Sequence, residues 1–298
     1  MKILVAESIS KEGKDLLEKA GFKLIEKLDL SKSDLKIALD GMDGLIIRSK
    51  TKMDREVIES AKTLKVIGRA GIGLDNIDVE VAKENNIEVL NTPESPIISV
   101  AELTFGLILS CARNIKKANF SLLEGKWEKH LLKGTEMYQK TLGIIGMGRI
   151  GKEVTKRAMA FGMKIVFFDP FVEEFEGGKK VDLDELYSLS DIITVHVPLS
   201  PKTENLISKK AFSKMKDNTI IINASRGGII DEDALYDALH NGKILSAGLD
   251  VFKEEPAIGN RLIGLPNVVA TPHLGSQTIE GQERVSVEIA EKMIDFLK

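Results

Sequence analysis

The side chains best suited to chemistry lie in the C-terminal half of the chain, each just after an apolar run. They are Arg226, Asp250, the pair Glu254 and Glu255, and His273. If the apolar runs are strands of one parallel sheet, ligands lie beyond the carboxyl ends of those strands. We therefore expect these groups to converge at one edge. An arginine, an acid and a histidine together suit the interconversion of a hydroxyl group and a carbonyl group.

Each residue type has a definite part in such a reaction. A histidine side chain changes charge near neutral pH and can take or give the proton of a hydroxyl group. A carboxylate bonded to its other ring nitrogen would hold the tautomer, and position alone leaves Glu254 and Glu255 as equal candidates. An arginine fork matches a substrate carboxylate and polarises an adjacent ketone. Arg226 is hard to explain as a solvated charge, because two glycines follow it.

A glycine-rich turn in the middle of the chain indicates a dinucleotide site. An apolar run leads into Gly146-Met-Gly148-Arg-Ile-Gly151, and an amphipathic helix and a second apolar run follow. In this arrangement the first glycine makes the tight turn, the second lets pyrophosphate approach the backbone, and the third lets helix and strand pack closely. The helix N-terminus offers free N–H groups and partial positive charge to the phosphates.

The acid at the end of the second apolar run predicts which dinucleotide is bound. Asp169 lies 18 residues after Gly151, where its carboxylate could accept hydrogen bonds from both ribose hydroxyls. Pro170 follows, and no arginine is near to receive a 2′-phosphate. We therefore expect NAD rather than NADP.

Two other reactive side chains have plainer interpretations. His196 precedes Val197 and Pro198 just after an apolar run, so we expect it to line the cofactor pocket rather than to act as acid or base. Cys111 lies inside an apolar helix and is expected to be a small core residue rather than a nucleophile. The spacing of histidines, cysteines and acids does not indicate a metal site.

Strand-like runs alternate with helical patterns along the chain, which predicts parallel sheets with helices on both faces. The fold class is α/β with two doubly wound parallel-sheet domains, a Rossmann NAD-binding domain and a flavodoxin-like substrate domain, separated by a cleft. The predicted domains are residues 1–92 plus 277–298 for the substrate and residues 93–276 for NAD. The last helix is expected to return to the first domain.

Individual elements follow from the same patterns. The NAD domain is expected to have six strands, starting at 141. One long helix is predicted from Ser99 to Lys117, and the final helix should bury a stripe of Val285, Ile289, Met293 and Phe296. Residues 121–140 are irregular in pattern, and composition alone favours a subunit-contacting arm and a surface loop equally.

Composition excludes several classes of protein. The 298 residues carry a formal net charge of −3, so bulk attraction to nucleic acid or a membrane surface is not expected. The apolar stretch Leu103 to Ala112 is too short to span a bilayer, and the N-terminus lacks the layout of a signal peptide. A single cysteine excludes an intrachain disulfide and fits a cytoplasmic location.

The ordered motifs identify a family resemblance that covers essentially the whole chain. GMGRIG, NASRGGIIDEDAL, GLDVFKEEP and TPHLG resemble the D-isomer-specific 2-hydroxyacid dehydrogenases. IIRSKT at 46–51, VIGRAGIGLDNID at 66–78 and SVAELTFGLIL at 99–109 narrow the resemblance to the members that oxidise 3-phosphoglycerate.

This resemblance implies site residues by position. The catalytic set is Arg226, Glu255 and His273, which decides between the two adjacent glutamates. The substrate would be held by Arg48 and Arg69 at its distal phosphate, by the backbone of Gly71 and Gly73, and by Arg226 and His273. The implied cofactor positions are Ile72, Gly146, Gly148, Arg149, Ile150, Gly151, Asp169, Pro170, His196, Val197, Pro198, Ala224, Ser225, Arg226, Asp250, His273, Gly275 and Ser276.

The implied activity is NAD-dependent oxidation of 3-phospho-D-glycerate to 3-phosphohydroxypyruvate by a homodimer of a short form without a regulatory domain. A glyoxylate or hydroxypyruvate reductase on the same scaffold is the nearest alternative. An NAD-sensing scaffold resembling the C-terminal-binding corepressors is a third interpretation, and the complete acid–base set argues against it. The partner expected is a phosphorylated 2-hydroxy acid, without nucleic acid, membrane or metal.

Overall fold

The computed structural model describes every residue from Met1 to Lys298. The chain divides into two compact units: Met1–Ile97 with Ser276–Lys298, and Ile98–Gly275. The sequence predicts the divisions at 92/93 and 276/277. Each unit contains one sheet in which all strands of the main ladder run parallel, so the predicted α/β class with two parallel sheets is confirmed.

The first unit contains a five-stranded sheet in the order β2-β1-β3-β4-β5, the order of flavodoxin-like folds. Its strands are β1 (Lys2–Val5), β2 (Lys23–Glu26), β3 (Gly44–Ile47), β4 (Val66–Arg69) and β5 (Glu88–Asn91). Its helices are α1 (Lys11–Lys19), α2 (Lys32–Ala38), α3 (Arg55–Ser60), α4 (Val79–Glu84) and, from the end of the chain, α11 (Ile279–Leu297).

Local sequence explains where these helices begin. Ser10, Ser31, Asp54 and Asp78 precede the first four helices, and each side chain accepts a hydrogen bond from the N–H three residues later. Such caps satisfy one of the donors that a helix start leaves open. The four short helices therefore carry their own start signals.

Helix α11 packs on the first sheet, as the apolar stripe predicts. Met293 and Ile289 are fully buried, and a side chain at Gly68 would lie 2.7 Å from Met293 Sδ. Small residues on the strands thus allow the helix to approach. One stripe member was predicted wrongly: Phe296 is 46% exposed, and Leu297 is buried instead, because the stripe continues at a spacing of four residues.

The second unit contains a seven-stranded sheet in the order β12-β11-β10-β9-β6-β7-β8. Its strands are β6 (Thr141–Ile145), β7 (Lys164–Phe168), β8 (Lys179–Lys180), β9 (Ile192–Val195), β10 (Thr219–Asn223), β11 (Ile244–Leu249) and β12 (Val268–Ala270). Counted from β6, the order is that of a Rossmann sheet with one strand added. The two-residue strand β8 is the seventh strand that the sequence does not predict.

Six helices and one short 3-10 helix complete this unit. They are α5 (Ile97–Ala112, whose first residue belongs to the first unit), α6 (Ile115–Leu123), the 3-10 helix Lys129–Leu131, α7 (Arg149–Ala160), α8 (Leu183–Leu189), α9 (Lys209–Lys214) and α10 (Glu232–His240). Apolar side chains cover both faces of the sheet, in two separate buried clusters.

The single helix predicted from Ser99 to Lys117 is wrong. Two helices meet there at 64°, and Asn114 between them has a left-handed φ of 53°. Asparagine tolerates this conformation better than most residues, and apolar periodicity does not reveal it. No single helix is long and apolar enough to cross a membrane; the bent pair passes such a test only when its two parts are joined.

Candidate active site

The turn between β6 and α7 requires glycine at two of its three predicted positions. Gly146 has a φ of +96°, and an added Cβ would lie 2.5 Å from the carbonyl oxygen of His196. An added Cβ at Gly151 would collide with the carbonyl oxygen of Gly146. The first glycine therefore allows the tight turn, and the third allows the helix to lie against it.

Gly148 is different, because an added Cβ would have no heavy atom within 4 Å. It is the N-cap of α7 and makes no side-chain capping bond, so the first N–H groups of a 12-residue helix have no cap from this residue. Open space at a helix start that has no side-chain cap is the form of an anion site. These residues fit the pyrophosphate of a dinucleotide.

Asp169 follows β7 and is only 7% exposed. Its Oδ2 accepts a hydrogen bond from the N–H of Met147 at 2.8 Å, and its Oδ1 accepts from the N–H groups of Phe171 (2.8 Å) and Val172 (3.0 Å). A carboxylate has roughly four acceptor positions, so about one remains. Asp169 thus holds the glycine turn, and bonds to two ribose hydroxyls stay a prediction.

His196 follows β9, next to β6 in the sheet. Its Nε2 lies 3.0 Å from Thr194 Oγ1, and its Nδ1 is buried with no hydrogen-bond partner. The residue as a whole is partly exposed, but burial of the ring lowers the pKa of His196 to about 3. The imidazole is therefore neutral near pH 7, which does not suit an acid–base role.

Glu255 and His273 form a pair at the carboxyl edge of the second sheet. Glu255 Oε2 lies 2.8 Å from His273 Nδ1, and Glu255 Oε1 accepts a hydrogen bond from the N–H of Phe252 at 3.1 Å. Burial raises the pKa of Glu255, but His273, Phe252 and the charge of Arg226 favour the ionised form, and the net pKa is lowered. An ionised carboxylate at Nδ1 leaves Nε2 to exchange a proton.

The turn that carries His273 is strained and is held by Asp250. His273 has a left-handed φ of 54°, a conformation that costs about 1–3 kcal/mol in a residue other than glycine. Asp250 Oδ1 accepts hydrogen bonds from Leu274 N–H (2.7 Å) and Thr271 Oγ1 (2.6 Å), and Oδ2 accepts from Gly275 N–H (2.8 Å). Burial raises the pKa of Asp250 despite these bonds.

Arg226 lies in the turn after β10, and Asn223 organises that turn. Asn223 Oδ1 accepts hydrogen bonds from the N–H (3.0 Å) and the hydroxyl (2.9 Å) of Ser225, and its Nδ2 donates to the carbonyl of Arg226. An added Cβ at Gly227 would collide with the Phe252 carbonyl. The Arg226 turn and the loop that leads to Glu255 are thus in contact.

The remaining predicted cofactor positions of this unit lie along the same sheet edge. They are Arg149 and Ile150 at the start of α7, Pro170 after β7, Val197 and Pro198 after β9, Ala224 and Ser225 after β10, and Gly275 after β12. Ser276 falls on the other side of the division, in the first unit.

In the first unit, Arg48 follows β3 in a loop held by two polar side chains. Glu7 accepts hydrogen bonds from the N–H groups of Arg48 (2.9 Å) and Thr51 (2.8 Å) at Oε1 and of Lys50 (3.3 Å) at Oε2. Asn76 Nδ2 donates to the carbonyls of Arg48 and Thr51. Burial lowers the pKa of Arg48, and the charge of Glu7 opposes this.

Arg69 is the last residue of β4 in the same unit, and the Gly71 loop follows it. Gly71 has a φ of +147°, and an added Cβ would collide with the Arg69 guanidinium. Arg69 Nη1 donates to the carbonyl of Ala70 at 3.4 Å, and Asn91 Nδ2 donates to the carbonyl of Ile72 at 2.6 Å. Gly73 lies in the same irregular loop.

The sequence alone missed the residues that hold these loops. Asn223 stands in the quoted motif NASRGG, and an asparagine before a turn is a known signal for a bond to the N–H two residues later. Glu7 and Asn76 act on a loop more than 20 residues away in the chain, and local patterns contain no signal for that.

Cys111 is buried, and burial raises the pKa of its thiol to about 11. The thiolate form that a nucleophile needs is therefore not populated near neutral pH. The chain contains no group of three or more histidine, cysteine or acidic side chains placed to hold a metal ion.

The chain is similar in sequence to known dehydrogenases and reductases. A family model described as D-isomer specific 2-hydroxyacid dehydrogenase, NAD binding domain, matches residues 105–275. The chain is similar to a hydroxypyruvate reductase of Thermotoga maritima, with 50% identity over 99% of this chain and 98% of the relative. It is also 48% identical to a D-3-phosphoglycerate dehydrogenase of Methanocaldococcus jannaschii, over 100% of this chain but only 58% of that relative.

A solved structure agrees with these sequence matches. The NAD-dependent formate dehydrogenase of Staphylococcus aureus, in complex with NAD, superimposes with a TM-score of 0.90 at 32% identity. The match covers 100% of this chain and 96% of that chain.

Proposed function

The chain belongs to the D-isomer specific 2-hydroxyacid dehydrogenase family and is an NAD-dependent oxidoreductase, and from this premise we propose that it oxidises 3-phospho-D-glycerate to 3-phosphohydroxypyruvate in serine biosynthesis. The observation that carries the chemistry is the 2.8 Å contact between the Glu255 carboxylate and His273 Nδ1. The relatives named for phosphoglycerate favour this substrate, and the chain spans 58% of the length of one of them.

The catalytic roles follow from the geometry of the second unit. Arg226 binds the substrate carboxylate, and His273 Nε2 removes the proton of the C2 hydroxyl. NAD held at the β6–α7 turn would supply the acceptor for the hydride of C2. Glu255 holds the tautomer of His273 and stabilises the imidazolium that forms. In the reverse direction His273 donates the same proton.

The distal phosphate is assigned to the arginines of the first unit. Arg48 follows β3 and Arg69 ends the neighbouring parallel strand β4, so both lie at the same sheet edge. Arg48 Nε is buried without a hydrogen-bond partner. A phosphate oxygen would supply the acceptor that this nitrogen lacks, and such charge-assisted bonds are strong.

Hydroxypyruvate reduction is the second candidate, favoured by a specific observation. The relative with this name is 50% identical to the chain, whereas the phosphoglycerate relative is 48% identical. His273 would then donate the proton to the carbonyl oxygen of a substrate without phosphate, with Arg226 and Glu255 in the same roles, and NADH would supply the hydride. The two candidates differ at Arg48 and Arg69 only.

The cofactor contacts are assigned to the β6–α7 turn and the strand ends around it. The N–H groups at the start of α7 bind the pyrophosphate, and Asp169 binds the ribose with the acceptor position that its backbone contacts leave. A carboxylate there would repel the 2′-phosphate of NADP. His196, Asp250 and the Ile72 backbone complete the assignment.

We further propose a cytoplasmic homodimer. Six large apolar side chains between residues 120 and 138 are more than half exposed: Phe120, Leu122, Leu123, Trp127, Leu131 and Tyr138. Such an exposed cluster marks a contact surface, and a second copy of the chain is the partner proposed. Sedimentation equilibrium of the wild-type chain and of Trp127→Ser would test it.

Steady-state assays with a substrate panel test the proposed reaction. We expect kcat/KM with NAD to be higher for 3-phosphoglycerate than for D-glycerate or D-lactate. With NADH, in the reductive direction, it should be higher for 3-phosphohydroxypyruvate than for hydroxypyruvate or glyoxylate. A hydroxypyruvate activity that no 3-phosphate improves would instead support the second candidate.

His273→Ala tests the acid–base role directly. Turnover should fall at least about a hundredfold, because a positioned acid–base group contributes that much. NAD affinity should change little. Unchanged turnover in a folded variant would refute the assignment.

A further inference from the structure

We propose that Glu232 is a positioning residue for the Glu255–His273 pair, acting through the loop that carries Glu255. The inference rests on the proposed function, because it needs that pair to move the proton. Glu232 is the first residue of α10 and has no place in the mechanism described above.

The side chain of Glu232 turns away from its own helix and binds the loop. Asp231 already caps α10 by accepting a hydrogen bond from the N–H of Ala234. Glu232 Oε1 accepts a hydrogen bond from the N–H of Lys253 at 2.6 Å, and Oε2 accepts from Asn260 Nδ2 at 2.8 Å. Both oxygens of one carboxylate thus bind the segment that contains Glu255.

These two contacts hold the segment at both ends. Lys253 lies two residues before Glu255. Asn260 is itself fixed, because its Oδ1 accepts a hydrogen bond from the N–H of Leu262 at 2.9 Å, and Leu262 is fully buried. Glu232 therefore ties residues 253–260 to a helix whose inner face is packed in the core.

The position of Glu255 depends on this segment, because the segment carries its backbone. The Glu255 side chain is 38% exposed; it contacts the N–H of Phe252 and the ring of His273 and is attracted by the charge of Arg226. A loosely held glutamate would sample positions away from Nδ1. Since catalysis is sensitive to displacements of about 1 Å, the anchor of this loop is expected to affect the rate.

The neighbouring Asp233 provides a matched control. Asp233 lies in the same helical turn, carries the same charge and also binds this loop, through Arg261 at 2.7 Å. Its side chain is 89% exposed, so the ion pair contributes little. Loss of charge at Asp233 therefore reproduces the electrostatic change at the helix start without removing a backbone anchor.

Two variants at Glu232 separate the contacts. Glu232→Gln retains an acceptor for Lys253 N–H but presents an amide NH2 to the Asn260 amide. If the Asn260 amide rotated to present its oxygen, it would lose the hydrogen bond from Leu262 N–H. The contact between residue 232 and Asn260 is therefore lost. Glu232→Ala removes both anchors, and Asp233→Asn removes neither.

The experiment measures kcat, KM, NAD Kd and the pH profile of the full chain, with whichever substrate the wild type uses best. For oxidation we expect Glu232→Ala to lower kcat about tenfold, with NAD Kd within about twofold. Glu232→Gln should show a smaller loss, and Asp233→Asn should stay within about twofold. The pH midpoint of the rising limb should move lower in Glu232→Ala, because a displaced carboxylate stabilises the protonated pair less.

A double-mutant cycle makes the inference specific. In a Glu255→Gln background, Glu232→Ala should change kcat by no more than about twofold, because the carboxylate that Glu232 positions is already absent. Full additivity would overturn the proposal, as would unchanged kcat and pH midpoint in Glu232→Ala. If Glu232→Ala does not fold, the cycle with Glu232→Gln gives the same decision. Failure of the proposed substrate would instead appear in the wild-type panel alone.

Discussion

Both sheets have a point where the strand order reverses, and the two points are built in opposite ways. In the first unit it lies between β1 and β3, where Ser10 caps α1 and Glu7 accepts the N–H groups of the Arg48 loop. In the second it lies between β6 and β9, where α7 begins at Gly148 without a side-chain cap. At the first switch point side chains bind the backbone donors and cap the helix, whereas at the second the helix begins without a side-chain cap.

This difference decides how each unit can bind an anion. Ligands of such sheets bind at the switch point. Where backbone N–H groups are already bonded, as around Glu7, a positively charged side chain has to provide recognition, and Arg48 is placed to do so. Where the helix begins without a side-chain cap, as at Gly148, the helix start itself can bind an anion. The switch points of two related folds therefore differ in how they can bind an anion, and a few residues make the difference.

Gly148→Asp would add to the second switch point the side-chain helix cap that the first one has. The backbone of Gly148 is extended and an added Cβ has open space, so the variant should fold, and its carboxylate should cap α7 as Asp54 caps α3. We expect NAD affinity to fall about a hundredfold, because like charges placed together cost several kcal/mol. Titration calorimetry measures it, with Gly148→Ala as the control for bulk; wild-type affinity in Gly148→Asp would break the comparison.

Arg48→Ala tests whether a side chain is the anion ligand of the first switch point. We expect kcat/KM for 3-phosphoglycerate to fall about thirtyfold, since hydrogen bonds to charged groups contribute about 1.5–3 kcal/mol. D-glycerate should change less than about threefold. Lys50→Ala is the matched control, because Lys50 lies in the same loop but is 72% exposed and pairs with Asp29. Equal losses on both substrates would contradict the assignment.

His196, at the second switch point, should make the free energy of unfolding depend on pH. Burial lowers its pKa to about 3, against 6.5 for an ordinary histidine. Between these values the unfolded chain binds the additional proton, so the free energy of unfolding should decrease as pH falls, by up to about 1.4 kcal/mol per pH unit. Urea unfolding of the wild type and His196→Gln from pH 7 to 4.5 measures this. Parallel pH slopes in the two proteins would show that His196 does not contribute.

Glu7→Gln should have the smallest effect and should act on stability. The amide oxygen can still accept from Arg48 and Thr51 N–H, but Lys50 N–H loses its acceptor. We expect the free energy of unfolding to fall by about 1 kcal/mol, the value of one ordinary hydrogen bond. Urea unfolding of Glu7→Gln and of Gly148→Asp, each against the wild type, measures this. The acceptor lost in Glu7→Gln should lower the free energy of unfolding, whereas the acceptor added in Gly148→Asp should not.

Much of the fold follows from local patterns. The alternation of apolar runs and helical patterns predicts the parallel sheets, and the serine and aspartate caps mark helix starts. Errors occur where periodicity is silent: at Asn114, whose backbone breaks a predicted helix, and at β8, whose two residues are too few to form a pattern. The prediction for Phe296 fails for another reason. Residues three and four positions after Met293 can both lie on its face of the helix, and only packing decides that Leu297 is the buried one.

The candidate site divides in the same way. The glycine turn and the placement of Arg226, an acid and His273 after strands follow from spacing, because the carboxyl ends of parallel strands share one edge. Spacing does not distinguish Glu254 from Glu255; the structure does, since the Glu255 carboxylate reaches a ring 18 residues further along the chain.

The chain's own order of residues thus determines its class, its dinucleotide turn and the types of groups at the strand ends, because these depend on neighbours within one or two elements. Tertiary structure alone decides which side chains hold those groups: Glu7 for the Arg48 loop, Asp250 for His273, and Glu232 for the loop of Glu255. Each of these contacts joins residues more than 20 positions apart, and the packing of separate elements, which no local pattern encodes, brings them within hydrogen-bond distance.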